Sequence, residues 1–137
     1  MVRVFKTKAF TRFADRERIP DHDLYVAVLR AEAGLIDADL GGGVIKQRLR
    51  REGSGKSGGF RSIILFRRGA LAFFAYGFAK NERDNITRDE LKAFRKLADT
   101  MLVLDNRALA EAQKNATIRR SRRYEQAISK RRTGRCS

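Results

Sequence analysis

Apolar positions along this chain change period several times, and each change marks an element. Val2 to Phe5 predicts a short first strand. Helical spacing follows, with Phe10, Phe13 and Ala14 on one face. Pro20 interrupts it. Asp21 or Asp23 is then placed to cap a second helix whose Leu24, Ala27, Val28 and Ala31 recur at three and four, and Gly34 ends it. Asp37 to Gly43, DADLGGG, predicts a loop. From Val44 the period is two: Val44, Lys46, Arg48 and Arg50 fall on one side, Ile45, Gln47 and Leu49 on the other. The loop REGSGKSGG returns the chain to FRSIILF, which reads as a buried strand. Arg68-Gly69 is a tight turn into ALAFFAYGFA, so the three strands make an antiparallel meander.

Thr87 and Glu90 have capping-box spacing and open a third helix. Its stripe of Leu91, Phe94, Leu97, Ala98, Met101, Leu102 and Leu104 is expected to cover the sheet. Asp105 or Asn106 starts a short helix through Lys114. After Ile118 the period is lost, and RRSRRYEQAISKRRTGRCS predicts a disordered or conditionally ordered tail. The expected class is α+β: two N-terminal helices, a small twisted antiparallel sheet, then C-terminal helices. One domain over 1–115 would carry a basic tail over 116–137.

Charge adds a second pattern. The formal net charge is +15, and residues 44 to 68 hold eight Lys and Arg against one Glu. Residues 119 to 137 repeat that balance, so nearly all the excess sits in two local patches. A pI near 11.0 points to polyanions, with nucleic acid ahead of an anionic membrane because no long apolar face lies beside the charges. The longest apolar run, Ala70 to Tyr76, is too short to span a bilayer. MVRVFKTKAF carries charge where a secretory leader needs an apolar stretch, and the single cysteine, Cys136, cannot form an internal disulfide. A cytoplasmic setting is expected.

Several chemistries are then excluded. GSGKS suggests a phosphate-binding P-loop, but the position of its first glycine is Arg50, and a strand follows where a helix N-terminus is required. His22 and Cys136 are the only residues of their types, so no nitrogen or sulfur metal cluster can form. His22 reads as a helix-start surface residue. The carboxylates Asp21, Asp23, Asp89 and Glu90 also sit at helix starts, where capping and the helix dipole account for them. What remains is Lys and Arg chemistry. RNA cleavage needs a proton taken from a 2′-OH, charge stabilised on a phosphorane-like transition state and a proton given to the leaving oxygen. Lys46, Arg48, Arg50, Lys56 and Arg61 supply fixed charge, and crowding by cations favours a neutral lysine. Spacing alone leaves three readings open: a plain surface, passive nucleic-acid binding and catalysis.

The run LGGGVIKQRLRREGSGKSGGFRSIILF followed by FFAYGFAKNERDNIT resembles the RelE/HigB-type toxins of bacterial type II toxin–antitoxin systems, in particular the branch with GKSGGxR and FxKNExxN. The resemblance covers about Phe5 to Lys114. It implies a microbial-ribonuclease-like fold and a metal- and cofactor-independent endoribonuclease that cuts mRNA on the ribosome, in the cytoplasm. It implies Lys46, Arg48, Arg61 and Lys80 as catalytic residues, with Arg50, Arg51, Lys56, Phe60 and Asn81 holding RNA. Phe60 and Tyr76 are candidates to stack on bases, although Tyr76 lies in a strongly apolar strand and reads as core. Some members place a Tyr or His shortly after the Lys-x-Glu motif, where this chain has Ile86 and Thr87. The expected partner is a cognate antitoxin, with DNA contacted only through it and no membrane involved. The alternatives are a non-catalytic nucleic-acid-binding protein and a gyrase-inhibiting toxin of the same superfold.

Overall fold

The computed structural model describes residues 2–49, 59–115 and 117–121. Within them the chain runs β1 (Arg3–Thr7), α1 (Lys8–Arg16), α2 (Asp21–Glu32), β2 (Ala38–Gly41), β3 (Val44–Leu49), β4 (Phe60–Arg67), β5 (Leu71–Ala79), α3 (Arg88–Met101), α4 (Asn106–Lys114) and β6 (Ile118–Arg120). The strands form one sheet in the order β2-β3-β4-β5-β1-β6. The α+β class and the β3-β4-β5 meander are as expected. So are the side-chain cap at Thr87 and the cap of α4, where Asp105 accepts from the Ala108 amide at 2.8 Å; Thr7 caps α1, which the sequence reading did not name.

The sheet is larger than the meander, and mixed. β1 precedes the two N-terminal helices and lies inside the sheet, parallel to β5, with Phe5 opposite Phe73. A pairing between such distant segments leaves no local periodicity to read. Part of the expected DADLGGG loop is strand: Ala38 pairs with Lys46, and Gly41, Gly42 and Gly43 make the turn with φ of 82°, 63° and 83°. The head of the expected tail is strand as well. Arg120 pairs with Phe5, and the Ser121 amide donates to the Val4 carbonyl at 2.9 Å. A boundary after residue 115 leaves β6 on the tail side; the tail beyond Ser121 lies outside the described residues. Finally, neither Asp21 nor Asp23 caps α2. Pro20 holds that position without a side-chain bond, and Asp21 instead accepts from Lys6 Nζ at 2.9 Å, an ion pair with side chains 10% and 14% exposed.

The sheet has a core on each face. On one, α1 and α2 bring Phe10, Phe13, Leu24 and Val28 against Ile45, Leu49, Phe60, Ile64 and Phe74. On the other, Met101, Leu102 and Leu109 meet Val44, Ile63, Leu65 and Phe73. The α3 stripe covers less than its sequence suggested. Ala98, Met101 and Leu102 are buried, Leu91, Phe94 and Leu104 are half-buried, and Leu97 is exposed. Arg48, at the far end of this second face, is exposed.

A bulge in β5 decides which residues reach that end. Ile63 pairs with Tyr76 and Ile64 with Phe74, leaving Ala75 unmatched. Before the bulge Phe74 belongs to the α1 face; after it Tyr76 and Phe78 belong to the α3 face. Gly77 then lies under Phe13, and a Cβ there would sit 2.4 Å from the ring, so only glycine fits. Thr7 Oγ lies 3.2 and 3.1 Å from the Phe74 and Ala75 carbonyls at the bulge, and accepts from the Phe10 amide to cap α1.

Candidate functional site

Three of the four expected catalytic residues come together. Arg48 and Arg61 are direct cross-strand partners, so their side chains leave the same face of the sheet; Lys46 is two residues along on that face. Among the described residues none of the three makes an ion pair. Two guanidinium groups directly opposite one another cost stability unless an anion lies between them. Arg61 is 9% exposed, and its Nη1 donates to the Phe60 carbonyl at 3.2 Å. Burial, and then the charge of Arg48, push the Arg61 guanidinium below its ordinary range, while Asp37 opposes them.

The backbone carrying Arg48 is pinned from beneath. Gln47, fully buried on the opposite face, donates through Nε2 to the Ala27 and Leu35 carbonyls at 3.0 and 3.2 Å and accepts from the Asp37 amide at 2.7 Å. Asp37 Oδ2 in turn accepts from the Arg48 amide at 2.7 Å. Ser62 Oγ donates to the Gln47 carbonyl at 3.0 Å, tying β4 to the same point. The period-two pattern of β3 is thus fixed in register by a buried amide, and the register is what places Arg48 and Lys46 outward.

The turn after β5 completes the site with residues that sequence reasoning did not select. Arg83 donates to the Tyr76 hydroxyl at 2.9 Å and pairs through both terminal nitrogens with Glu90; its guanidinium lies 5.6 Å from the Tyr76 ring centre and 5.9 Å from that of Phe78. The bond to Glu90 holds Arg83 above its ordinary range, and Arg83 holds the Glu90 carboxyl down to about 2. Lys46 Nζ donates to Asn85 Oδ1 at 3.4 Å. Asn85 is the last asparagine of FxKNExxN, so the second half of the motif carries the signal. Tyr76, expected as core, is half-buried with its hydroxyl at the site.

Other expected residues are placed differently. Lys80 is exposed one position beyond β5, its amide donating to the Gly59 carbonyl at 3.2 Å, and Asn81 is exposed in the following turn. Both stand at the Arg61 end of the sheet. Phe60 is not a stacking platform: it is 3% exposed on the α1 face, edge-on to Phe13 at 5.5 Å, because β4 alternates and Arg61 takes the other side. Ile86 is half-buried and Thr87 caps α3, so neither supplies the group some relatives have there. Arg50, Arg51 and Lys56 lie outside the described residues. Among the described residues no group of three or more His, Cys, Asp or Glu is gathered to hold a metal ion, and no helix is long and apolar enough to cross a membrane.

Fold and site together define a small α+β protein with a cationic cluster on one end of a sheet face, without an ion pair among the described residues. The family model described as the RelE toxin of the RelE/RelB toxin–antitoxin system matches residues 2–120, and the chain belongs to that family of toxins, which pair with an antitoxin of RelB type. No curated protein matches the chain significantly.

Proposed function

We propose that this toxin is a metal-independent endoribonuclease that cleaves mRNA on the ribosome and so inhibits translation. The observation that carries the reading is the Arg48–Arg61 cross-strand pair with Lys46 beside it, three cations on one face without an ion pair among the described residues. That arrangement fits a scissile phosphate, whose charge grows in the transition state. Arg48 and Arg61 hold the non-bridging oxygens. Lys46, the one primary amine of the set, is assigned to take the 2′-OH proton. The 2′ oxygen attacks phosphorus, the bond to the 5′ oxygen breaks to leave a 2′,3′-cyclic phosphate, and the 5′ oxygen takes a proton from water; Lys80 supports the phosphate. Arg83 fixes the Tyr76 ring beside the cluster as a surface for a base. Family membership supports the RNA substrate and the antitoxin partner.

Arg61→Ala is expected to abolish growth inhibition on induction, with cleavage falling at least about a hundredfold and the circular dichroism spectrum unchanged. Primer extension on mRNA from cells induced for the wild type should show codon-phased cuts. Full toxicity of the variant would overturn the assigned mechanism. Uncut message with salt-sensitive RNA binding would favour a non-catalytic nucleic-acid-binding protein.

A further inference from the structure

A second basic surface lies away from the cluster. A groove of about 420 Å³ is lined by Lys8, Thr11 and Arg12 of α1, Gln113 of α4 and Ile118, Arg119 and Arg120 of β6. It straddles the outer edge of the sheet, with α1 packed on one face and α4 on the other. β3 and β6 are four strand positions apart, about 19 Å at the usual spacing between strands. Four cations, one hydroxyl and one amide line the groove, and no carboxylate does. Among the described residues Ile118 is its only apolar lining residue and is 4% exposed, so the described lining offers no accessible apolar anchor on which a protein segment is held.

We propose that this groove binds the phosphodiester backbone of double-helical RNA, independently of the cleavage cluster. The chemistry is that of phosphate recognition: Lys8 and Arg12, one helical turn apart and both exposed, present charge along one rim, and Arg119 faces them from β6. Gln113 adds a neutral amide donor that phosphate oxygens accept from, while the Thr11 hydroxyl donates to the Thr7 carbonyl at 2.9 Å. A polyanion held here would keep the toxin on structured RNA while the sheet face meets a single strand.

The test uses the full chain and a 2′-O-methyl RNA duplex of about 16 base pairs, which keeps A-form phosphates and has no 2′-OH to attack. Binding is read by fluorescence anisotropy over a salt series. Lys8→Gln with Arg12→Gln should weaken binding about tenfold or more and lower the slope of log Kd against log salt by about 1 to 2. Lys92→Gln with Lys96→Gln, an equal loss of charge on the exposed side of α3, should change Kd less than about threefold. Lys8→Arg with Arg12→Lys should restore binding. Equal effects of the two charge-removing pairs, or no binding by the wild type, overturn the proposal. So does an unchanged duplex affinity accompanied by lost affinity for a poly-glutamate peptide, which would make the groove a protein-docking site. Arg61→Ala should bind this duplex nearly as the wild type does, so failure of the cleavage mechanism is read separately.

Discussion

At the scale of single residues, Arg83 and Glu90 show how one ion pair serves both folding and the site. Glu90 closes the capping box by accepting from the Thr87 amide at 2.8 Å, and the same carboxylate holds the guanidinium that fixes Tyr76. Its folded-state pKa is depressed from 4.5 to about 2. A depressed carboxylate contributes stability that is fully present above its unfolded value and is lost as pH falls through the folded one. The stabilisation from Glu90 is therefore complete above about pH 5 and fades between 4.5 and about 2. Glu90→Gln keeps a side chain suited to the capping box and removes the charge. Urea midpoints measured from pH 2 to 6 should show the wild type ahead by a constant margin above pH 5, with the margin closing toward pH 2. A margin independent of pH would show that the ion pair contributes nothing in solution.

At the scale of elements, the β5 bulge is what makes the site. Strict alternation from Phe74 would send Tyr76 and Phe78 to the α1 face, away from Lys46 and Arg48; the unmatched Ala75 turns them to the cationic face. Thr7 supports both this bulge and the start of α1 through one hydroxyl. Thr7→Val keeps the shape and removes the hydroxyl, and should cost about 1–3 kcal/mol in chemical unfolding, more than a cap alone. A loss below about 0.5 kcal/mol would mean the bulge holds its register without Thr7. The sequence made β3, β4, α3 and α4 legible because their signals are local: period two, a capping box, a turn glycine. The shared face of Lys46 and Arg48 followed from that period, with Arg61 on the neighbouring strand. Tyr76 packs half-buried against the α3-face core, as its apolar strand suggested, but which face it takes is not legible because a bulge shifts phase without altering hydrophobicity. Phe60 was misassigned because motif adjacency to Arg61 was allowed to outweigh alternation. Arg83 was missed because its role depends on a partner in α3 that no spacing rule connects to it.

At the scale of the whole molecule, the fold is closed by contacts between its ends. β1 is an interior strand only because Ile118–Arg120 return to pair with it, and Ile118 is buried in the α3–α4 core beside Phe5. Without β6, β1 would present an unpaired edge, with Phe5 partly uncovered. The described fold therefore includes residues 117–121, beyond a boundary at 115, as does the match to the family over 2–120. A chain ending at Ser121 loses six Lys and Arg and one Glu, which lowers the net charge from +15 to +10, and it retains every described strand. A chain ending at Asn115 loses the strand and the burial of Ile118, worth about 2 kcal/mol, and should melt roughly 8 °C below the Ser121 chain. Both truncations keep Lys46, Arg48 and Arg61, but only the shorter one removes Arg119 and Arg120 from the edge groove. Thermal melts of the two chains therefore test where the domain ends, and equal melting temperatures would return the boundary to 115.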